Sequence, residues 1–468
     1  LDALAAVVRE PRQPITRLPL CEPHDREHVI RGAALHPVAF PGHAPRLTDG
    51  PLYEQFAARV REAPAGVALV SDAESVCYGE LARRAGHVAQ HLSALSAAEQ
   101  PVIAVCMEPS ISQIIALLAC AELGGTCVPL EPTAEPAELE AIVANASPHA
   151  ILVTQQHSEL RFGARVLRLQ DLEASCAPAA SRFRRAQASD VAYVMYAAEA
   201  ARGVGLTHAN VVGLLDSIQP TIGFGAHDAL AYTQSPTSTA AVRALWAALS
   251  FGARLVIPHE ASRDAQGQLA LIRDEKVTVL VQDAAEFAAF VHAEAKLPLG
   301  ALPDLRLIIV TGEPLDPHVV AQFVGRHGDE RPALVHGYGA PETTGFATWA
   351  RASRRDIALA PARTVGVPVP GATMHLLDEA LRPVPRGVVA TLYIGGATLS
   401  PGYGARAELA ADSCFVPEPC AKGEWLYRTG LCARQLAHGG VAYLTEVPAR
   451  EAGGRTAPSS RGAHSKDI

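Results

Sequence analysis

The sequence has no excess of positive charge: 40 Lys and Arg stand against 48 Asp and Glu, a net charge of −8. The basic footprint of a nucleic-acid binder is absent. No uninterrupted apolar run reaches the ~18 residues that a membrane helix needs. The opening LDALAAVVREPRQP has neither the cationic start nor the apolar stretch of a signal peptide, and no initiator Met. It therefore reads as a piece of a longer polypeptide. No pair among the nine cysteines has CxxC spacing, and nine is odd. Several sit inside apolar runs, such as Cys120 in IIALLACAEL. They read as small buried hydrophobes in a reducing cytoplasm rather than a disulfide framework. Charged residues are somewhat sparse at 19%, and no internal repeat is present.

What is there is a core. The 468 residues, 49% of them hydrophobic, suffice for two to four folding units at roughly 100–200 residues each. Short apolar runs alternate with amphipathic stretches. VALVS, VIAVCM, CVPL and AILVT are separated by helical periodicity over 80–95, 111–123 and 137–145. The rhythm restarts at VAYVMY (191–196). It continues through LAYT, RLVIP, TVLVQ, LRLIIV and ALVHGY, with helices expected over 240–249, near 268–274 and over 284–293. Short apolar strands between 10–15-residue helices imply parallel sheets covered on both faces. Two such series predict two doubly wound α/β subdomains, over 49–190 and 191–360.

Past residue 360 the texture changes. GVPVPGATMHLLDEALRPVPRGVVATLYIGG is rich in Pro, Gly and β-branched residues, which predicts a small antiparallel unit over 361–444. Residues 445–468 are polar and read as a flexible linker, and residues 1–48 read as a tether. Within that tether His24-Asp25-Arg26-Glu27-His28 fits the HxxEH spacing of zinc peptidases. A metal site also needs a third ligand and a supporting shell, so the segment is read as a solvated helix.

Six stretches come in a fixed order: VCYGELARRA, LGGTCVPLEP, VTGEPL, GYGAPETT, TLYIGGATLSPGYGARAELAADSCF and LYRTG. In this order they resemble the adenylation domains of nonribosomal peptide synthetases, in the acyl- and aryl-adenylate-forming superfamily. The resemblance runs over residues 52–444, and the segment ending PITRLPL looks like the linker that follows an upstream condensation domain. It implies the family's large N-terminal core, two α/β subdomains plus a small β subdomain. It also implies ATP or AMP and Mg²⁺ as the groups handled. The implied partners are the condensation domain, a downstream carrier protein and a small MbtH-type helper protein. Tyr338, Gly339, Glu342 and Thr343 match the adenine-side loop, with Glu342 at the Mg²⁺ position. Gly312 and Glu313 match the strand end that borders adenine.

Other matching positions depart from the family. Its Gly/Ser/Thr-rich phosphate loop lets backbone N–H groups close around phosphates. Here Ala197-Ala198-Glu199-Ala200-Ala201-Arg202-Gly203 takes its place, three residues shorter. The hydroxyls are gone and Glu199 adds like charge; only Arg202, at the lysine position, supplies a cation. Such an alanine run is expected to extend the following helix. The ribose-binding Asp of YRTGD is replaced by Leu431, and the ammonium-binding Asp by Thr239, so an α-amino acid is disfavoured as substrate. After Leu444 the Gly-Arg-x-Asp hinge is missing, and a lysine-bearing C-terminal subdomain is expected to be absent. No catalytic residue is therefore assigned; Arg202, Thr239 and Leu431 mark the altered positions. These readings favour a scaffolding module that has lost activity. Activation of a hydroxy or keto acid, and a nucleotide-sensing or helper-binding module, remain open beside it.

Overall fold

The computed structural model describes residues 30–31, 46–71, 74–94, 98–155, 164–176, 184–196, 202–259, 264–312, 315–354, 364–405, 414–419, 421, 423–436 and 440–446. In chain order the first elements are β1 (Ile30–Arg31), α1 (Leu52–Glu62), β2 (Val67–Val70), β3 (Ser75–Cys77) and α2 (Tyr78–Ser93). A parallel series follows: β4 (Val102–Cys106), α3 (Ile111–Glu122), β5 (Thr126–Leu130), α4 (Pro136–Ala146), β6 (Ala150–Val153), β7 (Val166–Arg168) and α5 (Leu169–Ala174). Then come β8 (Val191–Met195), β9 (Val204–Thr207), α6 (His208–Ile222), β10 (Ala229–Ala231), α7 (Thr239–Phe251) and β11 (Arg254–Val256). The α/β series closes with α8 (Ala265–Asp274), β12 (Val279–Gln282), α9 (Ala284–Glu294), β13 (Leu307–Thr311), α10 (Pro317–His327), β14 (Ala333–Tyr338) and β15 (Thr348–Ala352). The remainder is all β: β16 (Thr364–Pro368), β17 (Ala372–Leu377), β18 (Ala390–Gly396), β19 (Gly402–Tyr403), β20 (Phe415–Pro417), β21 (Trp425–Gln435) and β22 (Val441–Glu446).

A seven-stranded sheet runs β19-β9-β8-β5-β4-β6-β7, parallel from β8 to β7. A second sheet contains the parallel block β14-β13-β12-β10-β11-β2. Beyond β14 it continues without a break through antiparallel β15, β16, β22, β21, β18 and β17 to β1. Every residue of β5, β8 and β13 is buried, as expected of strands covered on both faces.

Local sequence explains the helices between the sheets. In α7 everything from Ala240 to Phe251 is buried, the mark of a helix packed all round. Ser238 caps its start by accepting from Ala241 N, and Gly252 ends it in the left-handed conformation. Thr207 and Asn210 form a reciprocal capping box at the start of α6. The main apolar cluster joins both sheets, with Ile114, Leu118, Tyr193, Leu245, Trp246 and Leu307 in it.

The outcome corrects several expectations. The two α/β layers exist, but they do not part at residue 190. Strands β2 and β3 belong to the second sheet, while β8 and β9 complete the first. Apolar periodicity reports what an element is, not which neighbour it pairs with. The alanine-rich run has no helix directly after it, because Val204–Thr207 forms strand β9. Ile30 and Arg31, within the presumed tether, pair with Met374 and Thr373 of β17. The HxxEH segment and residues 447–468 lie outside the described residues. Cys106, Cys120 and Cys127 are buried as expected, whereas Cys176 is exposed; Cys21 and Cys420 lie outside the described residues. Among the described residues no helix is long and apolar enough to cross a membrane.

Candidate functional site

The site is built around the turn that leaves β14. Tyr338, half-buried, ends the strand and packs against the apolar cluster of the small β unit. Gly339 follows because a Cβ there would lie 2.5 Å from the Phe346 nitrogen. The turn then closes on itself, as Thr343 Oγ1 accepts from Ala340 N at 3.1 Å and donates to Ala340 O at 3.0 Å. Two bonds fasten it to the segment before β19. Ser400 N donates to the Glu342 carbonyl at 2.8 Å, and Thr344 Oγ1 donates to Thr398 O at 2.7 Å. Gly312, at the end of β13, sits at φ +94° and donates to Gly337 O at 3.3 Å.

Glu342 points into a tyrosine pair. Burial raises its carboxyl above the ordinary carboxylate range, and hydrogen bonds from the Tyr427 and Tyr403 phenols pull partly the other way. Burial, with Glu342 next in importance, pushes the Tyr427 phenol up in turn. The carboxyl that the resemblance assigns to Mg²⁺ is thus engaged by two protein donors. Among the described residues no group of three metal-ligating side chains gathers anywhere. A nucleotide-bound Mg²⁺ takes only one or two protein carboxylates beside phosphate and water oxygens, so Glu342 would have to give up its bonds to Tyr403 and Tyr427 to serve as a ligand.

Leu431 of β21 is 6% exposed. Its side chain belongs to the apolar cluster with Val365, Met374, Leu392 and Tyr443, against which Tyr338 also packs. The Leu431 N–H donates to Thr429 Oγ1 at 3.1 Å, and that hydroxyl donates to Leu392 O at 2.8 Å. Leu431 is a core residue.

Thr239 is the first residue of α7 and faces the turn after β14: a Cβ on Gly345 would fall 2.0 Å from its hydroxyl oxygen. Arg202 is exposed, just before β9. Residues 197–201 of the altered loop, and Glu313, lie outside the described residues. The structure thus brings Tyr338, Glu342, Thr343 and Leu431 to one edge of the small β unit, with Thr239 across the Gly345 turn. Sequence reasoning missed Tyr403, Tyr427 and Arg243 as site residues. Both tyrosines stood inside quoted motifs. Arg243 had a signal of its own, being the one charged residue in the apolar run TAAVRALWAALSF.

Comparison with known proteins places this arrangement. Residues 56–404 match the model of the family described as AMP-binding enzyme. The chain is 30% identical to syringomycin synthase SyrB1 of Pseudomonas syringae pv. syringae, over 90% of its own length and 71% of that protein. It is 28% identical to malpinin synthetase of Mortierella alpina, over 84% of its length but only 5% of that protein. The solved fold of the peptide synthetase FmoA3 in its AMPPNP-bound form superposes with a TM-score of 0.77 at 22% identity, covering 86% of this chain and 43% of FmoA3. The chain belongs to the AMP-binding enzyme family. Within it, the synthetase relatives and the matching fold define an adenylation domain of the nonribosomal peptide synthetase kind.

Proposed function

We propose that this chain is a non-catalytic adenylation-fold module that keeps its neighbours in a peptide-synthetase assembly line in register. Those neighbours are an upstream condensation domain, a downstream carrier protein and, docked on its surface, an MbtH-type helper. The observation that carries the reading is Leu431. Where the family's pattern has a ribose-binding Asp, this chain buries an aliphatic side chain in the β-unit core. A ribose hydroxyl brought there would lose its water without gaining an acceptor, at about 1–3 kcal/mol each. The Glu199-bearing alanine loop and the Tyr-bound Glu342 act in the same direction. A fold of this kind carries function only through its site, so a scaffold is what remains when the site is filled.

A second reading, ATP-dependent activation of a hydroxy or keto acid, draws on the retained Tyr338 and on Arg202. The AMPPNP-bound FmoA3 fold favours the same reading, with ATP or AMP as the nucleotide. One pair of measurements separates the two. The purified chain is assayed for acid-dependent exchange of pyrophosphate into ATP across amino, hydroxy and keto acids. Melting curves are recorded with millimolar Mg·ATP alongside. The scaffold reading expects background exchange and an unmoved curve; exchange above background with any acid overturns it.

A further inference from the structure

Most buried charge in the second α/β layer is sealed. Arg306 closes on Asp228 through Nε and Nη2 at 2.7 and 2.8 Å, and its Nη1 and Nη2 donate to the Ile222 and Gly223 carbonyls at 3.0 and 3.2 Å. Arg243, with no carboxylate partner among the described residues, packs its Nη1 against the Gly345 backbone, 3.4 Å from the Thr344 carbonyl. Glu294 differs. It ends α9, is 2% exposed, and borders a cavity of about 190 Å³. Phe290, Phe323, Leu302, Leu305 and Pro332 give that cavity apolar walls. It lies at the opposite end of the sheet from the site described above. Leu305 and Pro332 stand just before β13 and β14, whereas Tyr338 ends β14. At ~3.3 Å per strand residue, Pro332 and Tyr338 are about 20 Å apart. Ligands of open α/β sheets gather at the carboxyl ends of the strands, so this cavity at the amino ends is a separate place.

The last turns of α9 and α10 build its polar end. Arg326 Nε lies 3.1 and 3.0 Å from the two Glu294 carboxylate oxygens, and Arg326 Nη2 donates to the Leu297 carbonyl. His327 lies against the Phe323 ring, with 4.7 Å between centroids. Its Nε2 is 3.2 Å from Glu294 Oε2 but out of line for a hydrogen bond, and is buried without a hydrogen-bond partner. A polar atom left in that state is a cost that a ligand can remove. At the mouth, Arg331 Nη2 donates to the Pro303 carbonyl at 3.3 Å, both residues being exposed.

We propose that this cavity, with His327 Nε2 at its polar end, is a binding site for a small uncharged phenol. An apolar cavity of about 150 Å³ takes one benzene ring, so this one has room for a ring and a hydroxyl. The rings of Phe290 and Phe323 suit a third aromatic between the walls. A hydroxyl both donates and accepts, so it satisfies His327 Nε2 in either tautomer. The Glu294 carboxylate repels a second anion. Arg326, bonded to that carboxylate, and Arg331 at the mouth repel an ammonium. The site stands whether the module adenylates or is silent, because binding is measured without ATP.

The test is calorimetric titration of the full chain at neutral pH, without nucleotide, with phenol, toluene, benzoate and benzylamine. Saturable phenol binding at millimolar concentration or below is expected, tighter than each of the other three by about fivefold or more. Ala301→Phe fills the cavity from its half-buried place in the wall and should abolish phenol binding. His327→Phe keeps a ring against Phe323 but removes the nitrogen. It should weaken phenol by about fivefold and leave toluene within about twofold. That variant carries the test if Ala301→Phe fails to fold. Absence of saturable phenol binding at millimolar concentration overturns the proposal. So does toluene, benzoate or benzylamine binding as tightly as phenol. Undiminished phenol binding in folded Ala301→Phe, or an unchanged preference for phenol over toluene in His327→Phe, overturns it equally. Pyrophosphate exchange, measured separately, tests the scaffold reading alone.

Discussion

Trp246 Nε1 donates to the Tyr193 phenol oxygen at 2.8 Å, which ties the central helix α7 to strand β8 of the seven-stranded sheet. Both side chains are all but inaccessible, at 0% and 2%. Tyr193→Phe keeps the ring but leaves the indole N–H without this acceptor. The expected loss is about 1–3 kcal/mol in urea unfolding. Trp246→Phe in the Tyr193→Phe background should then cost less than Trp246→Phe alone, because the bond is already gone.

Reinstating an acid at position 431 should not restore a nucleotide site. Leu431→Asp places a carboxylate among Val365, Met374, Leu392 and Tyr443. A loss on the order of 3 kcal/mol or more is expected, visible as a lowered urea midpoint, with pyrophosphate exchange still at background. Wild-type-like stability together with new exchange would contradict the core role given to this residue.

Two buried histidines set an acid limit. Burial lowers His208 and His375 to about 4. The Nδ1 of His208 accepts from Leu52 N at 3.3 Å, and His375 Nε2 lies 3.1 Å from Thr373 Oγ1. His375 also lies 3.8 Å from Glu418, but a neutral ring forms no ion pair there. In the unfolded chain each histidine takes its proton near 6.5. Between about 4 and 6.5 the unfolded chain therefore binds more protons, and stability falls as pH falls. The melting temperature should drop across that window, and His208→Gln should flatten the slope.

The Asp228–Arg306 pair acts lower on the scale. Burial opposes the Asp228 charge, but the Arg306 guanidinium outweighs it and holds the carboxyl below its usual range. A depressed carboxyl contributes stability above the unfolded value near 3.9, lost as pH falls through the folded one. Asp228→Asn should cost about 3–5 kcal/mol at pH 7, since it strands Arg306 without its charge. A midpoint within error of the parent would show that the carbonyls of Ile222 and Gly223 suffice.

The alternation of strand and helix was legible in the sequence, down to a helix expected over 240–249 and found over Thr239–Phe251. Apolar spacing dictates which backbone geometry can bury a segment, so such elements are written locally. The exchange of β2, β3, β8 and β9 between sheets was not legible, because sheet partnership is decided between distant segments, Leu69 with Leu255 in one sheet and Cys127 with Tyr193 in the other. The site was legible wherever a motif carried it, as at Tyr338 and Glu342. It was not legible where the decisive fact is what a side chain meets. Nothing local shows that Glu342 is capped by Tyr403 and Tyr427, or that Leu431 lies inside a core. Arg243 is the instructive case, since its oddness can be read from one helix while its missing counter-ion can be seen only in three dimensions.

The ladder from β14 through β15, β16 and β22 to β17 joins the α/β layer to the small β unit by main-chain bonds rather than by side-chain packing alone. A push on one end is therefore delivered to the other with little slack. In the scaffold proposed above, such a body would act as a ruler, keeping whatever is fastened to its two margins at a fixed spacing.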